Sequence, residues 1–342
     1  MVDFKAFISG CAGTSLSDDE RAFFAEARPC GLILFARNCS SPEQLRTLVC
    51  DFRDAVESDE ALVLIDQEGG RVQRLRPPYW REMPPARAYG ELYRDDPAGA
   101  LAAAFAGARL IAAELHDAGI TVNCTPVLDV PQPGAHDIIG DRAFSLDPDI
   151  VIDLGHAVVE GTLAGGVLPV IKHVPGHGRA RTDSHLFLPR IDASAAELAE
   201  VDFRPFMALC DAPLAMTAHV LLPTFDDERP VSVSPVIMGE VIRDLIGLKG
   251  LVMSDDIGMA ALGGSFAGRA AAVIDAGCDV ALHCSGDLAE MREVASAVST
   301  LAGQSAERFA RASAELGEPQ VFDADQALVL VTEVAGRSGR VA

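Results

Sequence analysis

Basic and aromatic residues are scarce in this 342-residue chain. It has 28 Lys and Arg against 50 Asp and Glu, a formal net charge of -22 at pH 7, and only one Trp and three Tyr. Proteins that bind the phosphate backbone need clustered Lys and Arg to displace its counterions. The composition therefore excludes general nucleic-acid binding, and we expect no nucleic-acid partner.

Long apolar segments and paired cysteines are also missing. Residues 1–5 include an acid and no apolar run, and no later segment offers the ~18 uninterrupted apolar residues of a membrane helix. The eight cysteines are scattered without a CxxC pair, which predicts buried free thiols rather than disulfides. We expect a soluble, cytoplasmic protein without a membrane partner.

The chain does contain a repeated alternation of strand and helix patterns. Helix starts are indicated at Ser41-Pro42, where Gln44 completes a capping box, and at Asp96-Pro97, Asp147-Pro148 and Ser234-Pro235. Crossovers of this length require parallel strands. Eight short apolar runs predict those strands at residues 6–9, 31–35, 61–65, 120–123, 168–171, 213–216, 250–253 and 279–282.

This count of strands defines the expected architecture. No linker rich in Pro, Ser or Gly divides the pattern, so we predict an α/β fold with one (β/α)8 TIM barrel as the catalytic domain at residues 1–300. Residues 301–342 are predicted to form a helical or irregular extension packed on the barrel, without a second catalytic domain.

The segment at residues 171–189, IKHVPGHGRARTDSHLFLP, is the richest in chemistry. Its titratable side chains follow an apolar run and are interspersed with glycine, which is typical of a strand that ends in a functional loop. These side chains are Lys172, His173, His177, Asp183 and His185.

Other predicted strands also end in polar clusters. The sequence DQEGGRVQR follows the third strand at residues 66–74, TAH follows the sixth at 217–219, and SDD follows the seventh at 254–256. Because the carboxyl ends of TIM-barrel strands meet at one face, these clusters predict a single active site there.

These motifs, in this order, resemble the single-domain cytoplasmic β-N-acetylglucosaminidases of glycoside hydrolase family 3, which act in bacterial cell-wall recycling. The resemblance covers nearly the whole barrel. It rests on GLILFARN (31–38), DQEGGRVQR (66–74), PVLD (126–129), IGDR (139–142), KHVPGHG (172–178), DSH (183–185), MTAHV (216–220) and SDD (254–256). The chain departs from the family at Val174, commonly Phe, and at residues 258–260, often Ser-Met-Glu.

The resemblance implies a retaining exo-β-N-acetylglucosaminidase without a cofactor or metal, acting as a monomer on small muropeptide-derived carbohydrates. It assigns Asp255 as the nucleophile, with Asp256 as its rival, and His185 as the acid/base oriented by Asp183. It also implies that a further set of side chains binds the sugar: Asp66, Arg74, Arg142, Lys172 and His173.

This assignment is consistent with the chemistry of glycoside hydrolysis. The reaction needs one group that starts protonated and another that starts ionised, which suits a histidine near neutrality and an aspartate. His177 and His219 are expected to support the site without touching the reacting atoms, and Glu68 receives no role. In isolation, Arg142 could instead form a surface pair with Asp141 or Asp137, a kind of pair that contributes little to stability.

Three alternatives stay open. A metal-dependent barrel hydrolase would use His and Asp at strand ends, but the usual H-x-H pair is missing and Lys172 beside His173 would repel a cation. A phosphorylase would keep the same site and use phosphate as acceptor. A non-catalytic sugar-binding barrel is disfavoured because Asp255 and the Asp183/His185 pair are intact.

Overall fold

The chain folds into a closed barrel of eight parallel strands, in a computed structural model that describes residues 3–184 and 186–338. The strands are β1 (Lys5–Ser9), β2 (Pro29–Leu34), β3 (Leu62–Ile65), β4 (Gln67–Gly69), β5 (Val72–Gln73), β6 (Val122–Asn123), β7 (Leu168–Val174), β8 (Leu214–Thr217), β9 (Leu251–Asp256) and β10 (Val280–His283). The barrel order is β1-β10-β9-β8-β7-β6-β3-β2, whereas β4 and β5 form a separate antiparallel pair. The predicted TIM barrel is confirmed.

All eight predicted strands are present, with ends that differ from the prediction by at most three residues, and the fourth is shorter than predicted. The sequence predicted residues 120–123, but regular pairing covers only β6 before the chain passes through Thr125-Pro126. Proline has no N–H to donate to a neighbouring strand, so the ladder is interrupted there. Pairing resumes as an isolated parallel bridge between Val127 and Lys172.

Helices cover the outside of the barrel. They are α1 (Asp18–Ala27), α2 (Pro42–Val56), α3 (Ala86–Asp95), α4 (Pro97–Asp117), α5 (Pro148–Ala164), α6 (Ala195–Glu197), α7 (Arg204–Ala208), α8 (Phe266–Asp275), α9 (Leu288–Ala297), α10 (Gly303–Ser313) and α11 (Ala324–Ser338). Shorter 3-10 turns lie at Ala36–Asn38, Gly140–Arg142 and Val231–Val233, and π-helical segments lie at Leu198–Asp202 and Ile237–Leu245.

The predicted helix starts are also confirmed. Asp96 and Asp147 cap α4 and α5 by accepting hydrogen bonds from backbone amides of the first turn, and Ser234 accepts from the Ile237 amide. Ser41 caps α2 by accepting from the Gln44 amide. The Gln44 side chain, however, accepts from the Ser40 amide, so the predicted capping box is shifted by one residue.

The C-terminal helices pack on two different parts of the barrel. At the amino ends of the strands, the Phe309 ring of α10 lies 5.7 Å from the Phe4 ring. Helix α11 packs on α3 and α4. Arg109 of α4 holds the segment between α10 and α11, because it donates to the Gln320 carbonyl at 2.5 Å and lies 4.0 Å above the Phe322 ring. The division of the chain at residue 300 stays a prediction.

The structure bears on two expectations that came from composition, one about membrane helices and one about the cysteines. Helix α4 is long and apolar enough by composition to cross a membrane, yet most of its apolar stretch is buried in the protein, as expected for the core helix of a soluble barrel. All eight cysteines are free thiols. Five of them are buried, Cys39 and Cys210 are half-buried, and Cys50 is exposed.

Candidate active site

A cavity of about 500 Å³ opens at the carboxyl ends of the barrel strands. Asp256 lines it together with six residues that the sequence assigned to the site: Asp66, Arg74, Arg142, Lys172, His173 and Asp255. Asp183 lies half-buried on the loop after β7, and His185 lies outside the described residues. The mouth of the barrel thus brings together Asp66 and Asp256, which are 190 positions apart in the chain.

Five charged side chains form one network on one side of the cavity. The Lys172 ammonium is buried between Asp66 Oδ1 at 2.8 Å and Glu68 Oε1 at 2.7 Å. Arg74 donates to Asp66 at 3.0 Å, and Arg142 donates two hydrogen bonds to Glu68 at 2.8 and 2.9 Å. The network fixes both carboxylates and all three cations before any ligand binds.

The network also determines the protonation of its carboxyls. Burial alone would raise the pKa of both, but Lys172 and Arg74 lower the pKa of Asp66, and Arg142 and Lys172 lower the pKa of Glu68 to about 2. Burial would lower the pKa of Lys172, whereas the two carboxylates raise it. All members are therefore charged at neutral pH.

The local sequence explains why Asp66 and Glu68 share this network. They are two residues apart in an extended segment, and positions i and i+2 of a strand lie on the same face. Gln67, between them, accepts hydrogen bonds from the amides of Arg74 and Leu75. These hydrogen bonds fold the chain back, so that Arg74 also lines the cavity. Gly69, with a φ of +99°, has no room for a side chain, because a Cβ would lie 2.4 Å from the Pro84 carbonyl oxygen.

Glu68 is a residue that the sequence reasoning missed, and Arg142 has a different partner from the surface alternative. Arg142 pairs with Glu68 rather than with Asp141, which instead pairs with Arg71 at 2.8 Å. Alternation along the extended segment after β3 is the signal that could have identified Glu68.

His173 is held by a second buried acid, Asp129. The distance from His173 Nδ1 to Asp129 Oδ2 is 2.7 Å, and Asp129 Oδ1 also accepts from the His177 amide at 2.6 Å. Burial would raise the pKa of Asp129, but His173 lowers it, so Asp129 is ionised and holds the hydrogen on Nδ1 of His173. The sequence assigned no role to Asp129. Its position follows from the bridge between Val127 and Lys172, which is a tertiary contact.

The two adjacent aspartates at the end of β9 have different environments. Burial would raise the pKa of Asp255, but His173 and the hydrogen bond from the Asp256 amide lower it. Asp256 Oδ1 accepts from the amides of Gly258 at 2.9 Å and Cys284 at 3.2 Å, and burial raises its pKa. Asp255 is therefore ionised, and among the residues that the structure describes it accepts one backbone hydrogen bond, from the Asp256 amide at 2.8 Å.

His219 contacts the backbone of this pair of aspartates. Its Nε2 lies 3.0 Å from the Asp256 carbonyl oxygen, which only accepts, and its Nδ1 lies 2.6 Å from Ser232 Oγ. Nε2 therefore carries the hydrogen and Nδ1 accepts from the serine. Because burial lowers the pKa of His219, the ring is neutral.

The loop after β7 has two parts, which we name the loop base (residues 176–180) and the loop tip (residues 181–188). The base is mostly buried, whereas much of the tip is exposed, including Leu186 and Phe187 at 63% and 65%. His177 Nε2 of the base lies 3.2 Å from Ser184 Oγ of the tip. Burial lowers the pKa of His177 to about 4, so this contact involves a neutral ring.

The chain departs from the family pattern at Val174 and at residues 258–260, and both places lie within the described residues. Val174 is buried in the barrel core at the end of β7. Met259 lines the cavity, and a Cβ at Gly258 would lie 3.1 Å from both Asp256 carboxylate oxygens. Within residues 3–184 and 186–338, no group of three or more His, Cys, Asp or Glu side chains is placed to hold a metal ion.

Comparison with known proteins agrees with this geometry. The profile of the glycosyl hydrolase family 3 N terminal domain matches residues 4–315. A beta-hexosaminidase of Alkalilimnicola ehrlichii is 42% identical over 279 residues, which cover 80% of this chain and 79% of that protein. A beta-hexosaminidase of Xanthomonas campestris is 39% identical over 299 residues, covering 86% and 87% of the two chains.

Solved structures give the same family. NagZ of Neisseria gonorrhoeae superimposes with a TM-score of 0.88 at 30% identity, covering 98% of both chains. Further structures of that protein are complexes with N-trifluoroacetyl-D-glucosamine, with a TM-score of 0.89, and with a zinc ion, with a TM-score of 0.87. The chain belongs to glycosyl hydrolase family 3 and is a glycoside hydrolase of the beta-hexosaminidase type.

Proposed function

We propose that the protein is a retaining exo-β-N-acetylglucosaminidase that removes terminal GlcNAc from peptidoglycan fragments. The substrate would be GlcNAc-1,6-anhydro-MurNAc, with or without a peptide. The observation that carries the proposal is Asp255, an ionised carboxylate in a cavity that also presents the Asp66, Lys172 and Arg142 network. The beta-hexosaminidase relatives and the NagZ complex with a glucosamine derivative support the choice of sugar.

Asp255 is proposed to attack the anomeric carbon and form a covalent glycosyl-enzyme. Its lowered pKa keeps the carboxylate ionised and ready to attack. Asp255 attacks opposite the leaving group and inverts the anomeric centre, and water then attacks opposite Asp255, releases the carboxylate and inverts the centre again, which gives net retention. Asp256 is the weaker candidate, because its Oδ1 already accepts two backbone hydrogen bonds.

The charged network is proposed to bind the sugar hydroxyls and the N-acetyl-bearing ring. Asp66, Arg74, Arg142, Lys172 and His173 offer both donors and acceptors, which neutral hydroxyl groups require. These side chains are already ordered by ion pairs and by the His173–Asp129 hydrogen bond, so little conformational entropy is lost when the sugar binds.

His185 is proposed as the acid/base and Asp183 as its orienting partner. Both belong to the loop tip, next to Ser184, which contacts His177 of the loop base. A histidine titrates near neutrality, so it can start protonated to assist the leaving group and then accept a proton from water. A nearby carboxylate would hold the ring in one tautomer and favour its charged form.

Location in the cytoplasm and a monomeric state belong to the same proposal. Both follow from the resemblance to the single-domain cytoplasmic enzymes and from the small, soluble character of the proposed substrate.

Covalent trapping tests the reaction class and the nucleophile together. The protein is incubated with a slow 2- or 5-fluoro derivative of the GlcNAc glycoside, digested and analysed by mass spectrometry. We expect the sugar on the peptide that contains Asp255, and no sugar on that peptide in the Asp255→Asn variant. A label on Asp256 would reassign the nucleophile, and a turnover without any covalent adduct would contradict the retaining mechanism.

Leaving groups test the role of His185. With a disaccharide, whose leaving group is basic, His185→Ala should lower kcat by ~10² to 10⁴ because proton transfer is lost. With an aryl glycoside, glycosylation should be nearly spared and deglycosylation slowed, so a burst of phenol should precede slow turnover. Asp183→Ala should show the same pattern more weakly. Equal losses on both substrates without a burst would contradict the acid/base assignment.

A further inference from the structure

Several hydrogen bonds hold the base of the loop after β7 against a neighbouring segment. The His177 amide donates to Asp129 at 2.6 Å, the Gly178 carbonyl accepts from the Gln132 amide at 3.0 Å, and the Ala180 carbonyl accepts from the His136 amide at 2.7 Å. The loop base is thus attached along its length to the segment that follows β6. The last of these attachments lies three residues before Asp183.

One ion pair joins the loop base to a different element. Arg179 Nε donates to Asp202 Oδ2 at 2.7 Å, and Asp202 ends the π-helical segment Leu198–Asp202. The Asp202 side chain is 1% exposed and that of Arg179 is 19% exposed. A Cβ on Gly176 would lie 3.0 Å from Asp202 Cβ, so the loop base packs directly against this residue. The pair therefore attaches the loop base to a second element, in addition to the segment that follows β6.

Burial of the Arg179–Asp202 ion pair carries a desolvation penalty, so the pair is expected to add little to the free energy of unfolding. Burial raises the pKa of Asp202 to about 6, an increase to which the charge of Asp129 also contributes. Among the described residues, Asp202 Oδ1 has no hydrogen-bond partner. Buried ion pairs often contribute no more stability than apolar residues of similar volume, whereas they fix one arrangement of the groups that carry them.

We propose that Arg179 and Asp202 are positioning residues for the acid/base step: their ion pair holds the loop base, from which the chain continues directly to Asp183 and His185. The two side chains act through the loop and do not touch the substrate. This inference rests on the proposed function, because it assigns its effect to proton transfer by His185.

The main test removes both charges at once. Each single variant leaves a buried unpaired charge and is expected to destabilise the protein, so the double variant Arg179→Met/Asp202→Leu is compared with the wild type. We expect it to unfold at a urea concentration close to that of the wild type. Its kcat on a GlcNAc disaccharide should fall ~10- to 100-fold, because a small misplacement of a catalytic group costs about that much.

A second readout separates positioning from a general loss of structure. On an aryl glycoside, the rate of phenol release in the first turnover should stay within about threefold of the wild type, because an acidic leaving group needs little proton transfer. KM for the disaccharide should change little, since the sugar-binding network is intact. The single variant Arg179→Lys keeps the positive charge beside Asp202, so it should retain most of the wild-type rate on the disaccharide.

The chain offers a matched control in the exposed pair formed by Arg190 and Asp192. Their side chains are 52% and 70% exposed, their nitrogen and oxygen are also close, at 2.8 Å, and they follow the loop tip directly. Arg190→Met/Asp192→Leu should leave both rates unchanged. A stable Arg179→Met/Asp202→Leu enzyme with the wild-type disaccharide rate would overturn this inference and leave the proposed function standing. A wild type that cleaves neither substrate would overturn both.

Discussion

Each end of the barrel has an aspartate between two basic side chains, buried at the amino end and half-buried at the carboxyl end, and the two aspartates differ in how many of their acceptor positions are used. At the amino end, Asp279 accepts from Arg243, Arg308, Ser305 Oγ and the Val252 amide at 2.7–2.8 Å. A carboxylate has about four acceptor positions, so the chain itself uses them all. The Asp279 network joins α10 to the barrel and leaves no position for a ligand.

At the carboxyl end, Asp66 accepts from Lys172 and Arg74, and within the part of the chain that the structure describes it has no third side-chain hydrogen bond. Its remaining acceptor positions lie in the cavity. The same pairing of charges thus stabilises the fold at one end and is available to a ligand at the other. The comparison teaches that unused hydrogen-bonding capacity, rather than charge, distinguishes the candidate binding residue.

The largest effect is expected for substitution of Asp255, the carboxylate proposed as the nucleophile. Asp255→Asn should lower kcat on an aryl β-N-acetylglucosaminide by ~10³-fold or more, because the nucleophile is lost while the sugar contacts remain. Steady-state kinetics on a correctly folded variant measure this loss. Asp256→Asn should lower kcat much less, and the reverse order would show that the nucleophile is assigned to the wrong member of the pair.

The next largest effect should fall on stability at the amino end. Asp279→Asn leaves Arg243 and Arg308 without their carboxylate, so we expect the free energy of unfolding to fall by ~3 kcal/mol or more, measured by urea denaturation. Activity per folded molecule should stay unchanged.

Asp66→Asn is the matched substitution at the other end. Lys172 keeps Glu68 as a partner, so the stability loss should be smaller. Loss of sugar contacts should lower kcat/KM by ~10²-fold, as expected when a charged hydrogen bond to the substrate is removed. If Asp279→Asn lowers activity more than Asp66→Asn, the contrast between the two ends is wrong.

A smaller effect is expected from pH. The folded-state pKa of Glu68 is lowered from 4.5 to about 2, so the stability that Glu68 contributes is present above pH 4.5 and is lost as the pH falls toward 2. The urea midpoint should therefore decrease in this window, with proton uptake on unfolding. Glu68→Gln should be less stable at pH 5 and show a shallower dependence on pH. An equally steep dependence in the variant would assign the effect to other carboxyls.

The smallest expected effect is that of a chelator. Lys172 lies in the middle of the cavity network and is positively charged, which opposes binding of a cation. We predict full activity after treatment with EDTA and dialysis, without any gain when zinc or magnesium is added. Activity that disappears with EDTA and returns with a divalent ion would favour the metal-dependent alternative.

The sequence was sufficient to predict the barrel because each strand buries an apolar run that ends in polar residues. The same reasoning placed Asp66, Lys172 and Asp255 at the mouth, where the structure has them. It did not identify Glu68, although alternation along the extended segment after β3 could have indicated this residue. It could not identify Asp129, whose contacts depend on the bridge at Val127, which is set by tertiary structure.

The partner of Arg142 shows the same limit. Nearby acids in the sequence suggested a local pair, whereas the actual partner, Glu68, is 74 positions away. Sequence proximity is a poor guide to ion pairing when two loops meet over a barrel, because the strands bring distant segments within the reach of one side chain.

Closure of the barrel between β1 and β10 has a consequence for synthesis of the chain. Phe7 pairs opposite Ala281, so one edge of the first strand has no partner until nearly the whole barrel has left the ribosome. At 5–20 residues per second, that wait lasts roughly 15 to 55 s. During this interval an apolar strand edge is exposed on the nascent chain, and chaperones that bind such edges should associate with this protein before β10 is translated.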